Sequence, residues 1–157
     1  MSRALRRVVV ILFLASCMNA YAQADSQRPD YPRALVFFHH FRDALRQNDR
    51  KEIASLIEYP MLAQLHGKSA RIRNKTELLA HFDEIFDSGV RCEVMKAADK
   101  DVWGNSHGFT VSTGAIWFDD FSPPGTNEDS HAPDFWTKGT FRIMTVNNGS
   151  FYDCKAG

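Results

Sequence analysis

Residues 74–94 read NKTELLAHFDEIFDSGVRCEV, and the change of period inside this stretch decides the fold. Asn74-Lys75-Thr76-Glu77 is a capping-box-like start, with the acid three residues after the cap. Leu78, Leu79, Phe82, Ile85 and Phe86 then recur at three- and four-residue steps, the stripe of an amphipathic helix, and Ser88-Gly89 predicts its end. From Val90 the apolar positions alternate, Val90, Cys92, Val94, which is the period of a strand.

Upstream of this stretch the pattern is mostly helical. Leu35, Phe38, Phe41 and Leu45 fall on one face, widened by Ala34, Phe37 and Ala44, so an aromatic-rich helix is expected from Ala34. Asn48 and Asp49 break it, and either can cap a second helix through Ile53, Leu56 and Ile57 that stops before Tyr59-Pro60. Met61, Ala63 and Leu65 alternate, and His66-Gly67-Lys68 reads as the turn of a hairpin closing at Ile72. Downstream, residues 102–103, 109–118 and 135–146 are further strand candidates rich in β-branched and aromatic residues. Residues 122–133 carry three prolines and a glycine and read as an exposed loop. Helices gathered early and strands gathered late predict one α+β domain, a curved antiparallel sheet wrapped around about three N-terminal helices.

That order resembles the NTF2-like, or cystatin-like, cone fold, which includes the SnoaL-like and ketosteroid-isomerase-like proteins. The residues that carry the resemblance are 38–45 followed by 53–60, then Ile72-Arg73-Asn74-Lys75-Thr76-Glu77-Leu78-Leu79 leading to Ile85-Phe86. Thr113-Gly114-Ala115-Ile116-Trp117-Phe118 and the closing Phe141-Arg142-Ile143-Met144-Thr145-Val146-Asn147 complete it. They look like an uncharacterised exported bacterial subgroup of that fold and cover most of 31–148. The resemblance implies a cavity at the wide end of a cone and an open sheet face through which such domains pair, so a homodimer is among the expected partners. It fixes no reaction, because the fold hosts enzymes, binding modules and assembly domains. Ala115 stands where an acid is expected, so no polar pocket role is carried over to that position.

The N-terminus reads as an address. Arg3, Arg6 and Arg7 precede an unbroken apolar run at 8–15, and small residues follow at Ala20, Ala22 and Ala24, the order of a secretory signal peptide over 1–24. Ordinary cleavage leaves a free periplasmic or secreted protein. Leu14-Ala15-Ser16-Cys17 also resembles a lipobox, which would leave the protein lipid-anchored through Cys17. The run is far short of the ~20 apolar residues that cross a bilayer, so no transmembrane span is expected. Residues 25–33 read as a flexible leader, with 34–157 as the domain.

After the signal two cysteines remain, Cys92 and Cys154, and in an oxidising compartment an even pair predicts a disulfide. Closing that loop would stabilise by about 4 kcal/mol in the chain-entropy model. Charge excludes a partner class: 19 basic residues face 19 acidic ones, and losing Arg3, Arg6 and Arg7 leaves 16 against 19. Nothing forms a basic stripe, so no nucleic-acid partner is expected.

Candidate chemistry is sparse. His81 sits at the margin of the helical stripe of residues 78–86, where its ring could reach a cavity mouth, with Asp83 at the opposite margin. His81 with Asp119 or Asp83 would suit an isomerase or dehydratase moving a proton. Trp103, Trp117 and Asp119 are the other pocket candidates; Trp117 shares a strand face with Ala115 and Asp119, Ile116 and Phe118 share the other, and alternation alone does not orient them. His39-His40 points two rings about 100 degrees apart with only Asp43 at a helical step, so no metal site is expected. Nucleophile motifs, phosphate loops and dinucleotide fingerprints are absent from the sequence, and no cofactor is expected. The leading expectation is a non-enzymatic exported module binding a small molecule or a protein partner through a cone cavity or sheet face. The alternatives are the acid-base enzyme and an inhibitor or immunity-type protein acting through the loop at 122–133.

Overall fold

The computed structural model describes residues 28–121 and 140–149. The expected signal, Cys17, the loop at 122–133, Trp136 and Cys154 lie outside the described residues.

The first helix, α1 (Tyr31–Arg46), begins three residues before Ala34, with Pro32 in its first turn, where the missing amide hydrogen costs no helical bond. Its first amides, those of Arg33 and Ala34, both donate to the Asp30 carbonyl at 3.0 Å. Residues 28–33, expected in a flexible leader, are therefore part of the folded domain. Ala34, Phe38, Phe41, Ala44 and Leu45 form the buried stripe. Asp49 caps α2 (Arg50–Ser55), its carboxylate accepting from the Glu52 amide at 3.0 Å.

The second helix stops at Ser55 rather than running through Ile57, because Ile57 opens strand β1 (Ile57–Leu65). Its pairing with the last strand shifts register between Ile57 and Leu62, an interval containing Pro60, which has no amide hydrogen to give a ladder. The hairpin to β2 (Lys68–Ile72) turns at His66 and Gly67 with φ of +54 and +70 degrees, the two positive values that a tight two-residue hairpin turn demands.

Asn74 caps α3 (Lys75–Ala80) by accepting from the Glu77 amide, and Glu77 answers by accepting from the Arg73 amide. The expected single helix then breaks at His81 and resumes as α4 (Phe82–Ile85). Ser88-Gly89 does not end the helical region: α5 (Ser88–Lys96) starts there, with the Asp87 carboxylate accepting from the Val90 amide at 2.8 Å. Val90 and Val94, expected in a strand, are both fully buried on this helix. Their spacing of four serves a helix as well as an alternating strand, and the Asp87 cap resolves the ambiguity.

The strands β3 (Val102–Asn105), β4 (Gly108–Val111), β5 (Ile116–Phe121) and β6 (Thr140–Val146) follow. The stretch 109–118, expected as one strand, is two antiparallel strands joined by a turn with positive φ at Ser112 and Gly114. The sheet is six-stranded, curved and unclosed, in the order β2-β1-β6-β5-β4-β3. It is not wholly antiparallel, since β1 and β6 run parallel. Five α-helices are present among the described residues, where about three were expected.

The inner face is dense with aromatic rings. Phe38, Phe41, Phe86, Phe109 and Phe118 have no exposed surface, and each such side chain contributes about 1.5–3 kcal/mol of burial energy. Phe37 of α1 packs at 5.1 Å on Phe118 and 5.8 Å on Phe141, which seats the helix across β5 and β6. Ile116 and Phe118 face this core, and Trp117 faces outward.

Candidate functional site

Among the described residues the inner face is closed by phenylalanines, but the seam where α1 meets the start of β6 is not. Arg33, Val36, Phe37 and His40 recur at helical steps along the flank of α1 beside the buried stripe. With Leu56, Thr140, Phe141 and Arg142 they line an open groove of about 450 Å³. Its apolar surface comes from Val36, Phe37, Leu56 and Phe141. Val36 is 70% exposed, more than any other large apolar side chain among the described residues.

The groove is edged by basic groups. The Arg33 guanidinium lies 5.3 Å over the Phe141 ring and donates to Asp120 Oδ2 at 2.7 Å. Arg142 donates to the Phe141 carbonyl at 3.2 Å. The His40 ring meets Glu52 Oε1 at 2.8 Å. Apolar area with a few polar groups at its margin is the usual composition of a small-molecule site.

Behind the groove an Arg–Asp network ties the start of the domain to β5. Arg28 grips Asp30 with two nitrogens, at 3.1 and 2.8 Å, reaches Asp119 Oδ1 at 2.8 Å and donates to the Asn105 carbonyl at 3.2 Å. Its guanidinium also lies 4.5 Å over the Phe109 ring. Burial opposes the Arg28 charge, but the Asp30 hydrogen bond and the Asp119 and Asp30 charges outweigh it and raise its pKa above the ordinary value. The side chain of Asp120, two residues beyond Phe118, is 8% exposed; desolvation raises its carboxyl above the ordinary value against the pull of Arg33, and the charges of Asp30 and Asp119 add to the rise. Its Oδ1 has no hydrogen-bond partner among the described residues.

The four sequence candidates do not share one pocket. Asp119 is committed to Arg28. His81, at the α3–α4 break, sets its ring against His66 at 6.2 Å and lies 3.8 Å from Glu84. His66 sits at the tip of the β1–β2 hairpin, beyond the Gln64–Asn148 hydrogen bonds. Asp119 pairs with Arg142 near the start of β6, six residues before Asn148 in the chain. At about 3.3 Å per residue the strand from Arg142 to its end at Val146 alone spans roughly 13 Å, with Asn148 beyond it. An acid-base pair of His81 with Asp119 is therefore not assembled. Asp83 is 70% exposed and held by Arg50 at 2.8 Å.

Trp103 and Trp117 do meet, edge to face at 5.8 Å, on the outer side of the sheet and away from the core. His39 and His40 turn to different carboxylates, Asp99 at 2.7 Å and Glu52. Among the described residues no three His, Cys, Asp or Glu side chains are grouped to hold a metal ion, and no helix is long and apolar enough to cross a membrane. Cys92 lies half-buried on α5, while Cys154 is outside the described residues.

Sequence reasoning missed Arg33, Val36, Phe37 and Arg142 as a group. The available signal was Val36, an apolar residue off the buried stripe of its own helix. No family model matches the chain, and neither a curated protein nor a solved structure matches it.

Proposed function

We propose that this chain is an exported, non-catalytic binding module of NTF2-like type that holds a small ligand in the groove between α1 and β6. The observation that carries the reading is the open, largely apolar groove of about 450 Å³ edged by Arg33, His40 and Arg142. A second support is negative for catalysis: the ionisable candidates His81 and Asp119 face different neighbours, Glu84 and Arg28. A general base must lie within hydrogen-bond reach of the proton it takes, and these two cannot serve one substrate. With the inner face occupied by phenylalanines, ligand binding moves from a cone interior to its helix-side seam. In this reading residues 1–24 direct export and Cys92 pairs with Cys154.

The test is a thermal-shift screen of small amphipathic compounds against the native protein and Val36→Trp. Val36 is mostly exposed, so the indole fills the groove without disturbing the core. A true ligand stabilises the native protein by about 2.7 kcal/mol at about 100 times its Kd, and the variant loses that gain. Equal stabilisation of both proteins would refute the site.

A further inference from the structure

The outer sheet face carries a second concavity, apart from the groove. Strand register places Leu62 beside Thr145, Thr145 beside Trp117, Trp117 beside Thr110 and Thr110 beside Trp103. Side chains directly opposite on neighbouring strands stand about 4.5–5.5 Å apart, so these residues form one continuous row across five strands. Leu62 is 42% and Trp103 40% exposed, so both ends of the row face solvent; Trp117 and Thr145 are half-buried and Thr110, beneath the two indoles, is fully buried.

The hydrogen-bonding groups of the row and of His107 beside it divide into two sets. Trp103 donates its indole N–H to the Ser112 carbonyl at 3.2 Å, and the Thr110 hydroxyl donates to the Ile116 carbonyl at 2.7 Å. The Trp117 indole N–H, the Thr145 hydroxyl and the His107 ring have no hydrogen-bond partner among the described residues. The uncommitted groups belong to the residues that, with Met144 and Asn147, line one shallow concavity of about 410 Å³. No Asp, Glu, Lys or Arg is among them. Trp103, standing edge to face against Trp117, fixes the orientation of that indole.

We propose that this concavity is a subsite for a neutral glycan, with Trp117 as its stacking platform. A pyranose ring offers a C–H face that packs on an indole and a rim of uncharged hydroxyls that both donate and accept. Trp117 supplies the apolar surface and an N–H donor, Thr145 a hydroxyl, and His107 a ring nitrogen. An ionised ligand would find no opposite charge to repay its desolvation. The volume suits a short stretch of sugar chain, at the lower end of the ~300–1,000 Å³ usual for ligand sites. A platform already held by its neighbour loses little conformational freedom on binding.

Tryptophan fluorescence titration of the native protein with a panel of neutral hexasaccharides (cellohexaose, chitohexaose, maltohexaose, xylohexaose) and one acidic control, hexagalacturonate, tests this. At least one neutral sugar should give a saturable change, weakened about tenfold or more by Trp117→Ala. Thr145→Val, which removes one hydroxyl at nearly constant shape, should weaken it several-fold and guards against misfolding of the tryptophan variant. The proposal is overturned if no neutral sugar binds up to about 10 mM, if only the acidic control binds, or if both variants bind as the native protein does. A dimer that Trp117→Ala dissociates in sedimentation equilibrium would also overturn it, by assigning the face to a second copy of the chain.

Discussion

Replacing Arg28 with alanine should destabilise this domain by about 3 kcal/mol, although Arg28 stands outside every helix and strand. The magnitude follows from what the guanidinium leaves behind. Asp30 has no exposed side-chain surface, and its two carboxylate oxygens take their bonds from Arg28 at 3.1 and 2.8 Å. Water cannot reach the abandoned carboxylate, and removing one partner of a buried pair costs about 3–5 kcal/mol. Asp119 is 27% exposed and can rehydrate, so its lost bond adds little. The lower end of the range is the better choice because Arg28 is itself 16% exposed. Urea unfolding followed by circular dichroism should show the midpoint fall with the slope unchanged, since the surface exposed on unfolding is the same. Arg28→Lys should recover part of the loss, keeping the charge but not the two-nitrogen grip. Arg28→Met combined with Asp30→Asn should be less damaging than Arg28→Met alone, because it removes the orphaned charge. A loss under about 0.5 kcal/mol for Arg28→Ala, as for an exposed ion pair, would refute the reasoning and return residues 28–30 to a loose leader.

Two further outcomes are expected. Because the folded-state pKa of Asp120 is raised by burial, its contribution to stability is present below the unfolded pKa near 3.8 and is lost as pH rises through the higher folded value. Asp120→Asn removes that dependence, so the stability difference between variant and native protein should move in the variant's favour as pH rises from acid toward neutral. Movement the other way would mean that Arg33 dominates. Asp87→Ala removes the cap of α5 and should cost about 1 kcal/mol with loss of helical signal; an unchanged midpoint would argue that residues 88–96 need no cap.

How much of this was legible depends on where the deciding information lay. The stripes of α1 and the α3–α4 region, the Asn74 cap and the His66-Gly67 turn were readable because each is fixed by residues within a few positions of one another. Residues 90–94 misled because the Val90–Val94 spacing satisfies both periods, and only the Asp87 cap decides between them. Residues 109–118 misled because the β-propensity of the run hid the turn at Ser112 and Gly114. Ile57 continues the helical spacing of Ile53 and Leu56, and what makes it a strand residue, its pairing with Ile143, lies far along the chain. The candidate groove was out of reach for the same reason: α1, Leu56 and Thr140–Arg142 come together only through the parallel β1–β6 contact. Trp103 and Trp117 lie fourteen positions apart on different strands, so their edge-to-face contact and its outward direction come only from the register of β3, β4 and β5.

The central claim, a ligand seat on the helix side of the sheet, is tested most directly by amide chemical-shift mapping of the isotope-labelled protein against a library of small amphipathic compounds. Binding should perturb Arg33, Val36, Phe37, His40, Leu56 and Thr140 to Arg142 together, leaving the hairpin tip silent. Perturbations centred on His66, His81 and Glu84, or none for any compound, would contradict it.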